Sequence, residues 1–283
     1  MNKNFIITNT IILSLMFSGC MRTASKPQAE APKQAMDTVV SAPIAEAVKP
    51  KENDAARILA KPEVPVLCYH RIADGKKGDY TVTQATFSEH MKILADSGYQ
   101  TISPAQLYDY LVYNHELPAK PVMITFDDSR SEHSEIAAPV MDKVGFKGVF
   151  FIMTITYNKK NYMTTEQIAG LAKAGNTIGL HSWDHTMVPK YKEEADWQKQ
   201  VVAPKEKLEK IVESPVEFWA YPNGVYDHKG AEQLNKHFKL SFTLFSKRDT
   251  IYPLQTVRRI IVPDYSGEKL LKSIRRTFGK EQV

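Results

Sequence analysis

Residues 141–153 read MDKVGFKGVFFIM, and this stretch decides the fold class. Gly145 stands where a helix stops, and GVFFIM (148–153) is almost wholly apolar, as expected of a parallel strand covered on both faces. The same grammar occurs on either side. Phe87, Met91 and Leu94 recur at helical spacing before Gly98 and YQTI, and LAKAGNTIGL (171–180) places Gly175 between a helix and a strand. VPVLCY (64–69), PVMITF (121–126), EFWAY (217–221), LSFTLF (240–245) and RRIIV (258–262) complete the set of short apolar runs. Alternating β and α units predict one α/β domain built on a parallel sheet, open or closed. The segment 192–213 reads as helix, with Pro204 expected to kink or split it.

The N-terminus has a different composition. Lys3 precedes a short apolar stretch, Phe5 to Phe17, followed by Ser18, Gly19 and Cys20. That stretch is short for a membrane span and suits an export signal. Small residues before a cysteine resemble the lipobox of bacterial lipoproteins, so residues 1–20 are expected to be a signal peptide and Cys20 a lipidated anchor in the cell envelope, outside the cytoplasm. Residues 21–62 are rich in Ala, Pro, Lys, Glu and Gln, which predicts a flexible tether, with the domain over 63–283. Cys68, the only other cysteine, sits in a strand-like run and reads as a small buried apolar residue. A net charge of +5 with dispersed basic residues, and no P-loop or zinc-finger spacing, gives no support for nucleic-acid binding.

The polar clusters all follow apolar runs. MITFDDSR (123–130) ends a strand with Asp127 and Asp128. One reading is a capping box, Ser129 to Glu132, for the next helix. The other is a metal hydrolase, in which one carboxylate binds a cation and its neighbour stays free as a base. HSWDH (181–185) follows another strand and brings His181 and His185 within one turn. Asp184 between them points apart from that pair. One carboxylate and two imidazoles leave positions open on a divalent ion, with zinc the default and cobalt, nickel, manganese or iron admitted by mixed ligation.

TFDD, HSWDH and YPNG (221–224), in that order, resemble the polysaccharide deacetylases of carbohydrate esterase family 4, the NodB-homology fold. VPVLCYHRI and MITFDD are similar to its poly-N-acetylglucosamine deacetylase branch of envelope lipoproteins. The resemblance implies a distorted (β/α) barrel and a metal-dependent hydrolase that removes N-acetyl groups from an extracytoplasmic polysaccharide, poly-β-1,6-N-acetylglucosamine first. Peptidoglycan deacetylation and acetyl-ester hydrolysis are the neighbouring activities, and a glycan-binding lipoprotein without catalysis is the reading of another class. It also implies Asp127 as general base, Asp128, His181 and His185 as metal ligands, and the backbone N–H of Asn223 at the oxyanion.

Three positions depart from the family pattern. Ser129 replaces a glycine, Ala220 stands where the third motif carries an arginine, and no Leu-x-His motif supplies the acid. Arg259 is the candidate to orient Asp127 in place of the missing arginine, with Arg258 facing the other way. His70, after the first strand, is the candidate acid. Trp183 and Tyr221 are candidate sugar contacts. A monomer is expected.

Overall fold

The computed structural model describes residues 51–75 and 78–279. Its strands are β1 (Val66–Tyr69), β2 (Arg71–Ile72), β3 (Thr81–Val82), β4 (Gln100–Thr101), β5 (Pro121–Phe126), β6 (Val149–Ile152), β7 (Thr177–Leu180), β8 (Phe218–Ala220), β9 (Leu240–Thr243), β10 (Val257–Arg258) and β11 (Ile260–Ile261). The helix–glycine–strand reading holds. Gly98, Gly145 and Gly175 have φ of 79°, 73° and 84°, the left-handed conformation that ends each helix before β4, β6 and β7.

The main sheet is parallel in every pairing and runs β10-β9-β8-β7-β6-β5-β1-β11, with β4 also on β5. Its two ends are separated in sequence by Arg259 alone. The run Val257–Ile261 therefore pairs with β9 through its first half and with β1 through its second. This shared strand brings the edges together and curls the sheet into the expected barrel.

Side chains alternate across the barrel wall. Leu67, Ile124, Phe126, Phe150 and Ile152 pack with Phe87, Met91 and Leu94 of the helix Gln84–Asp96. Val66, Met123, Val149, Phe151, Ala220 and Phe242 form a second cluster inside. Both faces of each strand are covered, which is why these runs carry almost no polar residues.

Two sequence expectations need correction. The tether ends before residue 62: Asp54 caps a helix over Ala55–Ala60, the Asn53 N–H donates to the Val112 carbonyl at 2.8 Å, and Ile58 joins the inner cluster at 4% exposure. One buried isoleucine ties down a segment whose average composition is polar. The expected signal peptide, Cys20 and the start of the tether lie outside the described residues. Pro204 does not split the helix, which is distorted rather than interrupted just before it. Turns over Glu194–Trp197 widen into a π-turn at Gln198–Val202, and Pro204 is the second residue of the helix Ala203–Val212 that follows.

Candidate active site

The polar clusters gather at the carboxyl edge of the barrel, where loops leave the strands. Asp127 and Asp128 follow β5, His181 and His185 follow β7, Asn223 follows β8, and His70 follows β1. The turn after β5 is tight, with left-handed Asp128 (φ 72°) and Ser129 (φ 56°). Ser129 steadies it: its Oγ accepts from the Met153 N–H at 2.7 Å and its carbonyl from the Met163 N–H at 2.9 Å. With its hydroxyl committed there, Ser129 does not form the capping box that its spacing to Glu132 suggested. A serine thus occupies the glycine-like conformation, held by two hydrogen bonds.

Asp128 Oδ1 lies 3.6 Å from His181 Nε2 and 3.5 Å from His185 Nε2. His181 Nδ1 meets the Ala220 carbonyl at 2.8 Å; a carbonyl only accepts, so Nδ1 carries the proton and Nε2 presents a lone pair. Burial lowers the His181 pKa and favours that neutral ring. Asp128 Oδ1 and His181 Nε2 are both buried without a hydrogen-bond partner. Such atoms are costly to leave bare, and their convergence fits a divalent cation held by Asp128, His181 and His185. His185 reaches the group from a left-handed turn (φ 70°), with its N–H donated to Ser182 Oγ at 2.8 Å. Asp184 turns aside and accepts from the Thr186 N–H and hydroxyl at 3.0 and 2.7 Å.

Asp127 is held differently. Arg259 Nη1 donates to its Oδ1 at 2.7 Å and Nη2 to its Oδ2 at 2.8 Å, with both residues buried. Burial alone would raise the Asp127 pKa, but the Arg259 guanidinium outweighs it and holds the carboxyl well below the usual carboxylate range. Arg258 faces the other way, donating through Nε to Glu63 at 2.7 Å.

A cleft of about 300 Å³ opens onto His70, Asp127, Asp128, His185, Asn223 and Gly224. His70 Nε2 is 3.9 Å from Asp127 Oδ2. Cys68 lies behind it, fully buried, its Sγ 3.5 Å from the same oxygen. Asn223 (φ 56°) and Gly224 (φ 67°) bring the YPNG turn against β9, where the Gly224 carbonyl accepts from Thr243 Oγ1 at 2.6 Å. A larger hollow beside Tyr226, His228 and Phe245 contains none of these groups.

The expected sugar contacts are not in the cleft. Tyr221 is 0% exposed and packed against Trp219 and Tyr226, so it belongs to the core. Trp183 does not line the cleft, and Lys199 Nζ covers its ring at 4.5 Å. In their place Tyr80, Arg71 and Leu244 line it. Arg71 lies in the run VPVLCYHRI but was not singled out, whereas Tyr80 sits in a polar loop with no pattern to mark it.

Residues 114–238 match the family model described as polysaccharide deacetylase. Over that segment the chain is similar to polysaccharide deacetylases. YxkH of Bacillus subtilis, itself assigned as a polysaccharide deacetylase, is 28% identical over 228 residues, 78% of this chain and 80% of that one. Among solved structures, BC0361, a polysaccharide deacetylase from Bacillus cereus, is 26% identical with a TM-score of 0.65, covering 75% of this chain and 69% of that one. IcaB from Ammonifex degensii is 25% identical with a TM-score of 0.62, over 76% and 98% of the two chains. The barrel carries a candidate divalent-metal group and a clamped carboxylate at its carboxyl edge.

Proposed function

We propose that this chain is a metal-dependent N-deacetylase of an extracytoplasmic N-acetylhexosamine polymer, poly-β-1,6-N-acetylglucosamine first. The observation that carries the reading is the pair of buried, unpartnered ligand atoms, Asp128 Oδ1 and His181 Nε2, beside a carboxylate that Arg259 keeps ionised. A divalent ion bound by Asp128, His181 and His185, zinc by default, supplies a Lewis acid for the amide carbonyl and for water.

The chain's own groups supply the rest. Asp127, ionised and fixed in orientation, takes the proton of the attacking water. The Asn223 N–H, on the rim of the cleft, donates to the oxyanion of the tetrahedral intermediate. His70, across the cleft near Asp127, is assigned the proton that the departing amine needs. Arg259 makes no contact with substrate in this scheme and positions the base.

Deacetylation of peptidoglycan is the second reading, favoured by the positive charge that Arg71 brings to the cleft. The bidentate clamp on Asp127 counts against a glycan-binding relic, because a binding module has no use for an oriented base. Lipidation at Cys20 would hold a monomeric domain at the envelope surface.

The test is acetate release by the full chain, metal-loaded and chelator-stripped, from poly-N-acetylglucosamine oligomers, peptidoglycan fragments and acetylated xylan, with Asp127→Asn as control. Metal-dependent release that Asp127→Asn abolishes is the expected result. Release from xylan esters alone would move the assignment to an ester hydrolase. A metal-loaded chain inert on all three would defeat the reading.

A further inference from the structure

One wall of the cleft carries more positive charge than its own acid neutralises. Arg71 Nε and Arg130 Nε lie 3.5 and 3.7 Å from the same oxygen, Glu132 Oε1. None of these three buried atoms makes a hydrogen bond. Two guanidiniums thus share one carboxylate. Arg130 is further engaged by the Tyr162 ring at 4.6 Å, and its side chain is 14% exposed. The Arg71 side chain is 33% exposed and lines the cleft.

The remaining cleft charges do not use that surplus. Arg259 neutralises Asp127, and Asp128 belongs to the metal group. Among the described residues lining the cleft there is no other acid.

Arg71 is also placed rather than loose. It pairs in β2 with β3, its N–H donates to the Tyr80 carbonyl at 3.0 Å, and His133 Nε2 meets the neighbouring His70 carbonyl at 2.6 Å. The same pairing sets Tyr80 beside it. Tyr80 is 52% exposed, its ring centroid is 5.0 Å from that of His70, and it lines the cleft. An exposed tyrosine offers a flat apolar face to the C–H side of a sugar ring. A guanidinium offers a donor fork that matches a carboxylate.

We propose that Arg71 and Tyr80 form a subsite for the sugar next to the one being deacetylated, and that the subsite selects a unit bearing a carboxylate. The proposal rests on the N-deacetylase reading, but not on which polymer is cut. The carboxylate has two chemical sources: the ether-linked lactyl group of a muramic unit that carries no stem peptide, or a dicarboxylic acid half-esterified to poly-N-acetylglucosamine. A neutral neighbouring sugar leaves the Arg71 charge facing water.

The experiment is equilibrium binding to the chelator-stripped full chain, so that metal-dependent turnover does not compete. Three glycans of equal length are compared: neutral N-acetylglucosamine oligomer, a muramyl-containing fragment without stem peptide, and a succinylated oligomer. At least one anionic glycan should bind about tenfold tighter than the neutral one, and the advantage should shrink as salt rises. Arg71→Gln should remove that advantage and leave neutral binding unchanged, Arg71→Lys should keep part of it, and Tyr80→Ala should weaken all three. The glycan that gains identifies the source of the carboxylate. Equal or absent binding of all three, or an Arg71→Gln loss shared by neutral and anionic glycans, would overturn the proposal. Acetate release from the metal-loaded chain is measured in parallel. Arg71-dependent binding without release would retain the subsite and defeat the deacetylase reading alone.

Discussion

Arg259 and Asp127 lie 132 positions apart, yet the guanidinium of one meets both oxygens of the other at 2.7 and 2.8 Å. The barrel's closure makes this contact. Arg259 sits between β10 and β11, where the last strand leaves β9 and joins β1 beside β5. The third motif, where the family pattern carries an arginine, has Ala220 here. Instead, Ala220 contributes a carbonyl that fixes the His181 tautomer, and the charge arrives from the closing strand.

Arg259→Met should therefore lower acetate release by about a hundredfold or more, as expected when a base loses its orienting partner. It should also cost roughly 3–5 kcal/mol of stability, because the buried Asp127 carboxylate loses its counter-charge. Arg259→Lys should restore the charge without the bidentate geometry and recover only part of the rate. Steady-state kinetics and thermal melts on both variants check this. Unchanged turnover in Arg259→Met would remove the positioning role.

The metal group makes a separable prediction. His181→Ala or Asp128→Ala should abolish stoichiometric divalent metal in the purified protein, read by elemental analysis, with circular dichroism unchanged. Asp127→Asn should retain the metal while losing activity, because Arg259 rather than the ion holds Asp127. Loss of metal in Asp127→Asn as well would place Asp127 among the ligands and require a different base.

The contrast between Arg259 and Tyr221 shows what could be read from sequence. Alternation in VRRIIV was enough to send Arg258 and Arg259 to opposite sides, because strand period is fixed by backbone geometry, while the choice of Arg259 came from the need to replace the missing arginine. The apolar runs and the glycine stops gave the barrel's units for the same reason. Tyr221 was misplaced because sequence marks an aromatic residue near a loop but not whether its ring points inward, and Trp183 because sequence does not show which way a half-exposed ring turns. Tyr80 was missed because its role depends on the β2–β3 pairing, which joins two dipeptides too short to show a pattern. The Ala55–Ala60 helix was missed because one buried side chain, Ile58, decides it.

Gly224 tests the YPNG turn. Its φ is 67°, and a Cβ there would lie 2.3 Å from Leu244 Cβ and 2.7 Å from the Leu244 N. Gly224→Ala must therefore push the turn off β9, carrying Asn223 with it. The expected result is a fall in kcat of about tenfold or more, from a displaced oxyanion donor, with metal content unchanged. Asn223→Gly keeps the backbone donor and suits the left-handed φ of 56°, so its kcat should stay within about twofold. A large loss in Asn223→Gly would mean that the side chain, not the backbone, does the work.

Histidine burial predicts how stability depends on pH. His90 is fully buried; its Nε2 meets the Tyr265 carbonyl at 2.7 Å and so carries the proton, leaving Nδ1 to accept from the Tyr69 hydroxyl at 3.1 Å. Burial lowers its pKa, and that of the buried His133, below the ordinary value. In the unfolded chain both titrate near about 6.5. Below that pH the unfolded state binds protons that the folded state refuses. Stability should therefore be full above about pH 6.5 and fall as pH drops toward the folded pKa values, by up to about 1.4 kcal/mol per pH unit for each histidine. Melting temperatures of the metal-stripped chain from pH 7.5 to 5 measure the slope. His90→Leu should melt lower at pH 7.5, since it leaves the Tyr69 hydroxyl without its acceptor, yet lose less on acidification than the native chain. A slope identical in the two proteins would show that folding does not lower the His90 pKa, and that the Tyr69–His90–Tyr265 bridge is not the one described.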